Sequence, residues 1–181
     1  MIISVYSRNQ VKRMHKKDPM FHKQHWFISI FSSEMEDQNG KTASYSPLPD
    51  GANILKLKFD DVAEKDSNYY IHFNSDHAKK IVDFIKNIKD DGSMDMIIHC
   101  DAGVSRSGAV GYLLNEWFNK FINVNLADDS YFHMRNSHIM PNPEVVRILK
   151  LELFGAPFMG IKVNDYEYNS DGVRIDHIEE I

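Results

Sequence analysis

The chain has one cysteine in 181 residues. An internal disulfide is therefore impossible, and nothing signals an oxidising compartment. Long hydrophobic runs are missing as well: no stretch approaches the roughly 20 apolar residues of a membrane-spanning helix. The opening MIISVYSRNQVKRMHKK carries too short an apolar run for a signal peptide. Positive charge is not in excess, since 21 Lys and Arg stand against 26 Asp and Glu for a formal net charge of -5. Neither nucleic acid nor a membrane is drawn to the molecule as a whole, and neither is expected as a partner. Repeats and low-complexity tracts are absent too. What is there, 43% hydrophobic and 26% charged residues, fits a soluble globular protein rather than a disordered one. The length suits one well-buried core, because domains typically run to about 100–150 residues. A cytoplasmic location is expected; the oligomeric state is left open.

Hydrophobic periodicity lays out alternating elements. IISVY (2–6) reads as a buried strand, SRNQVKRMHKK as a helix with Ser7 available to cap it, and HWFISIF (25–31) as a second strand. Residues 32–52 carry Asn-Gly, Asp-Gly and two prolines, the punctuation of a surface loop. NILKLKF (53–59) alternates as a strand with one wetter face and ends at Asp60-Asp61. From Ser75 to Lys89 the residues Ala78, Ile81, Val82, Ile85 and Ile88 fall at helical spacing, with Ser75 or Asp76 as N-cap. MDMIIH (94–99) is a short strand running into the cysteine, and AVGYLLNEWFNKFI (109–122) is a strongly apolar helix. Two more helices are predicted around 127–136 and from Pro143 to Leu153, where Pro143 suits a first helical position. In the tail, IKVNDYEY and VRIDHI flank Asn-Ser-Asp-Gly as a β-hairpin would. Strands alternating with helices argue for an α/β layered fold.

The cysteine sits in HCDAGVSRSG (99–108), between a strand and a helix. Backbone N–H groups in such a loop turn inward as an anion-binding nest, reinforced by the positive end of the following helix. Those donors suit a phosphate, with Asp101, Ala102, Gly103, Val104 and Ser105 supplying the cradle. They also stabilise a thiolate; cysteines at helix N-termini or beside cations have values lowered to about 3.5–7.5, so Cys100 is expected to be ionised and to attack phosphorus. Arg106 brings a planar fork that grips two equatorial phosphoryl oxygens into the transition state. Gly103 lets the loop turn, and Gly108 lets the first helical turn pack closely. Ser107 is placed to donate to the sulfur and help it leave, and His99 to orient the loop. The bland alternative is that Cys100 is a small buried hydrophobe. A cysteine with Gly at +3, Arg at +6 and Ser or Thr at +7 arises by chance in roughly one case in two thousand at average usages, which disfavours it.

HCDAGVSRSG resembles the signature loop of cysteine-dependent protein phosphatases, the tyrosine and dual-specificity class: His-Cys, five residues, Arg, then Ser or Thr. The resemblance spans most of residues 53–153. It implies an α/β fold with a central mixed, mostly parallel sheet flanked by helices. A catalytic domain is expected over 1–154, with the tail, 155–181, read from its own residues as a hairpin packed on it. The resemblance also implies hydrolysis of protein phosphomonoesters through a cysteinyl-phosphate intermediate, with no metal or cofactor. The partner implied is a phosphorylated protein or peptide. Family members place a general-acid aspartate just after the strand preceding the long helix, and in LKFDD (57–61) Asp61 lines up best. Asp60 is the close rival, and Asp66 stays open because the spacing from Asp61 to Cys100 is longer than is common. Pro141-Asn142 matches a pair at the start of the family's last helix, where Asn142 would brace loops around the site.

One residue departs from the pattern. Asp101 puts a charge beside the expected dianion; pointing outward, it would discourage highly anionic substrates and so disfavour phosphoinositide or RNA-end phosphatases. No aromatic and basic tyrosine-recognition loop precedes Asp61, which favours the shallower dual-specificity type, acting on phosphotyrosine and also on phosphoserine or phosphothreonine. Lys12, Arg13, Lys16, Lys17 and Lys23 read as a solvated face rather than a rim. His22 and His25 have no third ligand to make a metal site. The rival from another class is a pseudophosphatase, a phosphate-binding recognition module without turnover. It would lack the cysteine, the arginine or the acid, and all three are present. Arsenate-reductase and low-molecular-weight phosphatase types place the motif near the chain start, unlike position 100.

Overall fold

The computed structural model describes residues 1–33, 45–62, 70–88, 94–121 and 129–155, and short strands at 161–163, 166–168 and 174–175. The expected hairpin turn at 169–172 and the candidate Asp66 lie outside the described residues.

Four strands, β1 (Ile3–Ser7), β2 (His25–Phe31), β3 (Ile54–Lys58) and β4 (Asp95–Cys100), form one sheet in the order β1-β4-β2-β3. Every pairing in it is parallel: Ser7 lies opposite Cys100, Ser29 opposite His99, and Phe31 opposite Lys58. The expected mostly parallel sheet is thus wholly parallel among its described strands. Parallel pairing places all four carboxyl ends on one edge, and in open α/β sheets that edge is where ligands bind.

Period-2 alternation divides the apolar residues between two faces. Ile3, Val5, Ile28, Ile30, Leu57, Met96 and Ile98 meet three helices, α2 (Ser75–Lys86), α3 (Arg106–Phe121) and α5 (Pro143–Phe154), through Ile81, Ile85, Leu113, Leu114, Phe118 and Leu149. Phe27, Ile54 and Ile97 face the other way and meet Val11 of α1 (Arg8–Lys17). Both faces being covered, the strands read as near-continuous apolar runs. At about 1.5–3 kcal/mol per fully buried large side chain, the three-helix face carries most of the stabilisation.

Caps set the helix starts. Ser7 ends β1 and caps α1 at once: its hydroxyl accepts from the Gln10 amide, and the Gln10 side chain returns a bond to the Ser7 N–H. For α2 the sequence points to Ser75 or Asp76, but the cap is Asn74, whose Oδ1 accepts from the amides of Asp76 and His77. Asn, Ser and Asp cap about equally well, so propensity does not choose among three in a row. α3 starts at Arg106 rather than at 109, because Ala109 N–H already bonds the Ser105 carbonyl. α4 (Asp129–Arg135) and α5 lie where the periodicity puts them. The tail forms an antiparallel sheet, β5 (Ile161–Val163), β6 (Tyr166–Tyr168) and β7 (Arg174–Ile175), in chain order. β6 and β7 are the pair expected to flank Asn-Ser-Asp-Gly; IKVNDYEY, read as one strand, divides into two.

Asn136 secures β1, which is an edge strand. Its Oδ1 accepts from Val5 N–H at 2.8 Å, and its Nδ2 donates to the carbonyls of Ile3 at 3.2 Å and Phe132 at 3.0 Å. Removing that side chain strands buried backbone groups, at a cost of roughly 1–3 kcal/mol. Asn136→Ala is therefore expected to lower the urea midpoint clearly without changing far-UV circular dichroism below the transition. An unchanged midpoint would show that β1 holds its place without this bond.

Candidate active site

Cys100 ends the central strand β4, and the chain then arches over residues 101–105 into α3. The arch needs Gly103, which has φ 76°, where side chains rarely sit, and whose Cβ, if present, would lie 2.4 Å from Ser7 N. Gly108 serves packing, since a Cβ there would stand 3.0 Å from that of Ile139. Three loop carbonyls are taken up by neighbours: Asp101 O by Arg8 N–H at 3.4 Å, Val104 O by Met140 N–H at 3.1 Å, and Ser105 O by Asn142 N–H at 3.2 Å. Gly103 N–H instead turns to the sulfur, donating to Cys100 Sγ at 3.2 Å, and the Ser107 hydroxyl donates to the same atom at 3.0 Å. Cys100 is 1% exposed, the depth expected of a filler. A purely apolar filler has no need of two donors, however, and both reach this sulfur.

Arg106, 4% exposed, is tied to three other parts of the site. Nη1 donates to Ser32 Oγ at 2.9 Å and to Phe59 O at 2.8 Å, and Nη2 donates to Asp101 Oδ2 at 2.8 Å. Its Nε is buried without a hydrogen-bonding partner among the described residues. A buried cationic N–H with nothing to donate to is costly in isolation and fits an anion.

Asp101 corrects an expectation. Its carboxylate does not point away from the site; it bridges two guanidinium groups, Arg8 through Oδ1 at 2.9 Å and Arg106 through Oδ2 at 2.8 Å. Ser32 Oγ donates to Oδ2 as well, at 2.8 Å. The charge is thus compensated within the protein, and repulsion of polyanions no longer follows from it.

Asp60 and Asp61, rivals in sequence, have different surroundings. Asp60 is buried, and both its oxygens accept backbone amides, Ser33 N–H at 2.9 Å and Ile71 N–H at 2.8 Å. Asp61 is exposed, and its Oδ1 accepts from Ser105 Oγ at 2.7 Å and Asn142 Nδ2 at 2.8 Å, which places it beside the cysteine loop. Asn142 does two things at once: its Oδ1 caps α5 through Glu144 and Val145, and its amide holds Asp61 and the Val62 carbonyl. Ala102 is exposed on the arch. Sequence reasoning missed Arg8, Ser32 and the Phe59 carbonyl. Arg8 and Ser32 each follow a parallel strand and Phe59 follows β3, so strand ends alone would have nominated them.

His99 is fully buried, with neither ring nitrogen in a hydrogen bond among the described residues, so the expected orienting role rests on packing alone. Lys12, Arg13, Lys16, Lys17 and Lys23 are exposed. His22 packs edge-on against His15, and His25 Nδ1 lies 3.1 Å from the Phe21 carbonyl. Among the described residues no three His, Cys, Asp or Glu side chains gather to hold a metal, and no helix is long and apolar enough to cross a membrane. No protein-family model matches the chain, and no curated protein matches it significantly.

Burial pushes His99 down to about 4, with Asp101 opposing the shift and Arg8 reinforcing it. The unfolded chain, titrating near 6.5, binds more protons than the folded one between these two values. The neutral ring's contribution is therefore complete above about 6.5 and is lost as the pH falls toward 4. The urea midpoint is expected to fall more steeply over this window in wild type than in His99→Asn. Parallel pH profiles would show that the imidazole is not held neutral.

Proposed function

We propose that the protein is a cysteine-dependent phosphatase that removes phosphate from phosphorylated proteins or peptides. Carrying this reading is one observation: a buried sulfur accepting two hydrogen bonds, in the same short loop as a buried guanidinium whose Nε has no partner among the described residues. Such a loop offers a nucleophile and an anion receptor together.

The chemistry runs in two steps. Cys100 Sγ, as the thiolate, attacks phosphorus; a P–S bond forms as the bond to the leaving oxygen breaks, and Asp61 delivers a proton to that oxygen. Water then attacks the cysteinyl phosphate, giving its proton to Asp61, while Ser107 donates to the departing sulfur and inorganic phosphate is released. Arg106 and the amides of residues 101–105 hold the equatorial oxygens throughout. Asp61 is preferred to Asp60 because one of its partners, Ser105, belongs to the phosphate loop, whereas both oxygens of Asp60 are committed to backbone amides. Asn142 is a positioning residue that sets the carboxyl of Asp61. The substrate is taken to be phosphotyrosine, with phosphoserine and phosphothreonine also accepted, and the protein is taken to be cytoplasmic.

Hydrolysis of an aryl phosphate tests the reading. Cys100→Ser is expected to abolish turnover. Asp61→Asn is expected to cut kcat by about 10²-fold or more, within the usual range for general acids, while inorganic phosphate still binds. Asp60→Asn should act chiefly on stability; if it proves the more damaging to kcat at equal stability, the acid is Asp60. Undiminished turnover by Cys100→Ser would overturn the mechanism, and phosphate binding without turnover by wild type would make the protein a recognition module.

A further inference from the structure

A carboxylate one residue after the nucleophile ought to repel a phosphate dianion, yet this one lies between two arginines. Its Oδ2 takes Arg106 Nη2 and Ser32 Oγ, each at 2.8 Å, and its Oδ1 pairs with Arg8 Nη1 at 2.9 Å. Arg8 opens α1, and its backbone N–H also bonds the Asp101 carbonyl at 3.4 Å. The far side of the Arg8 guanidinium lies over the Tyr45 ring, 5.6 Å from its centroid. Arg8 Nη1 is buried and makes no aligned hydrogen bond among the described residues, so it holds Asp101 as an ion pair and adds a positive charge against the loop.

With Ser32 and Phe59 O on Nη1 and Asp101 on Nη2, the plane of Arg106 is determined by three directed contacts from separate parts of the chain. Of its three nitrogens only Nε, which is buried, has no partner among the described residues. A guanidinium is rigid and planar, so fixing its Nη edge fixes the direction of Nε. Two cations flank one carboxylate, so the triad Arg8, Asp101 and Arg106 keeps a net positive charge.

We propose that Asp101 is a positioning residue which, anchored by Arg8, locks the Arg106 guanidinium in its phosphate-binding orientation, so that this carboxylate strengthens anion binding instead of opposing it. The proposal rests on the phosphatase reading and adds to it a role for two residues outside the chemistry. It reverses the sign of the simple electrostatic expectation, and that sign is measurable.

The test is competitive inhibition by inorganic phosphate, with KM and kcat for an aryl phosphate, in wild type, Asp101→Ala, Asp101→Asn, Arg8→Ala and the Arg8→Ala/Asp101→Ala double variant. Losing a charge-assisted bond to Arg106 is expected to weaken phosphate by about tenfold in Asp101→Ala and to raise KM with it. Asp101→Asn keeps an acceptor oxygen at nearly the same size, so it should recover part of the loss. Arg8→Ala should weaken phosphate as well, and the double variant should be no worse than Asp101→Ala, because Arg8 acts through Asp101. Thermal midpoints report folding, and the near-isosteric Asp101→Asn keeps the comparison open if the alanine variant fails to fold. An active wild type whose Asp101→Asn or Asp101→Ala variant binds phosphate as tightly or more tightly overturns this inference alone. Additive losses in the double variant overturn the anchoring by Arg8. A wild type that neither turns over nor binds phosphate overturns the phosphatase reading, and this inference with it.

Discussion

Burying a guanidinium forces the surrounding chain to supply acceptors, and in this protein that demand organises the whole carboxyl edge of the sheet. Arg106 draws on a hydroxyl just after β2, a carbonyl just after β3 and a carboxylate just after β4. Each partner follows a different parallel strand, so the correct fold is a precondition for satisfying the charge. A neutral residue at 106 would leave the Phe59 carbonyl short of a donor and Asp101 short of one of its two cations. The loop geometry and the sheet order are therefore coupled through a single side chain, and a cost of several kcal/mol for an unpaired buried ion makes that coupling stringent.

The arch over residues 101–105 follows from the same economy of polar groups. Three of its carbonyls accept from Arg8, Met140 and Asn142, which come from the start of α1 and the approach to α5. One amide, that of Gly103, is thereby left to the sulfur. Close approach of the loop to β1 requires a residue without Cβ at 103, and the register that puts Ser7 opposite Cys100 fixes where that approach falls. Residues far apart in sequence thus converge because parallel strands end together.

Much of this was legible in the sequence, and the boundary has a physical cause. Hydrophobic period reads burial, so β2 is found at 25–31 as predicted and α5 begins at Pro143. Motif spacing reads local geometry, so the Ser107 hydroxyl reaches the Cys100 sulfur, while the Gly103 amide adds a second bond to it that the motif did not announce. Pairings between distant side chains leave no periodic trace. Nothing in HCDAGVSRSG announces that Asp101 will meet Arg8, or that Arg106 will meet Ser32, because both depend on the strand order. Caps were legible as a type but not as a position, as Asn74 illustrates beside Ser75 and Asp76. The tail shows the same limit, since IKVNDYEY alternates as one strand would and yet supplies two.

Asp60 and Asp61 show how one backbone step separates two environments. They leave β3 in succession, and consecutive side chains in extended chain point to opposite sides. One therefore turns inward, where its two oxygens join Ser33 and Ile71 and so tie the segment after β2 to the segment before α2. Its neighbour turns outward to the rim, where Ser105 and Asn142 share a single oxygen, Oδ1. A carboxylate whose two oxygens both accept backbone amides is rigidly placed, which suits a brace. Among the described residues, that rim carboxylate is gripped through one oxygen alone. The backbone that presents Asp61 is the one that Asp60 pins.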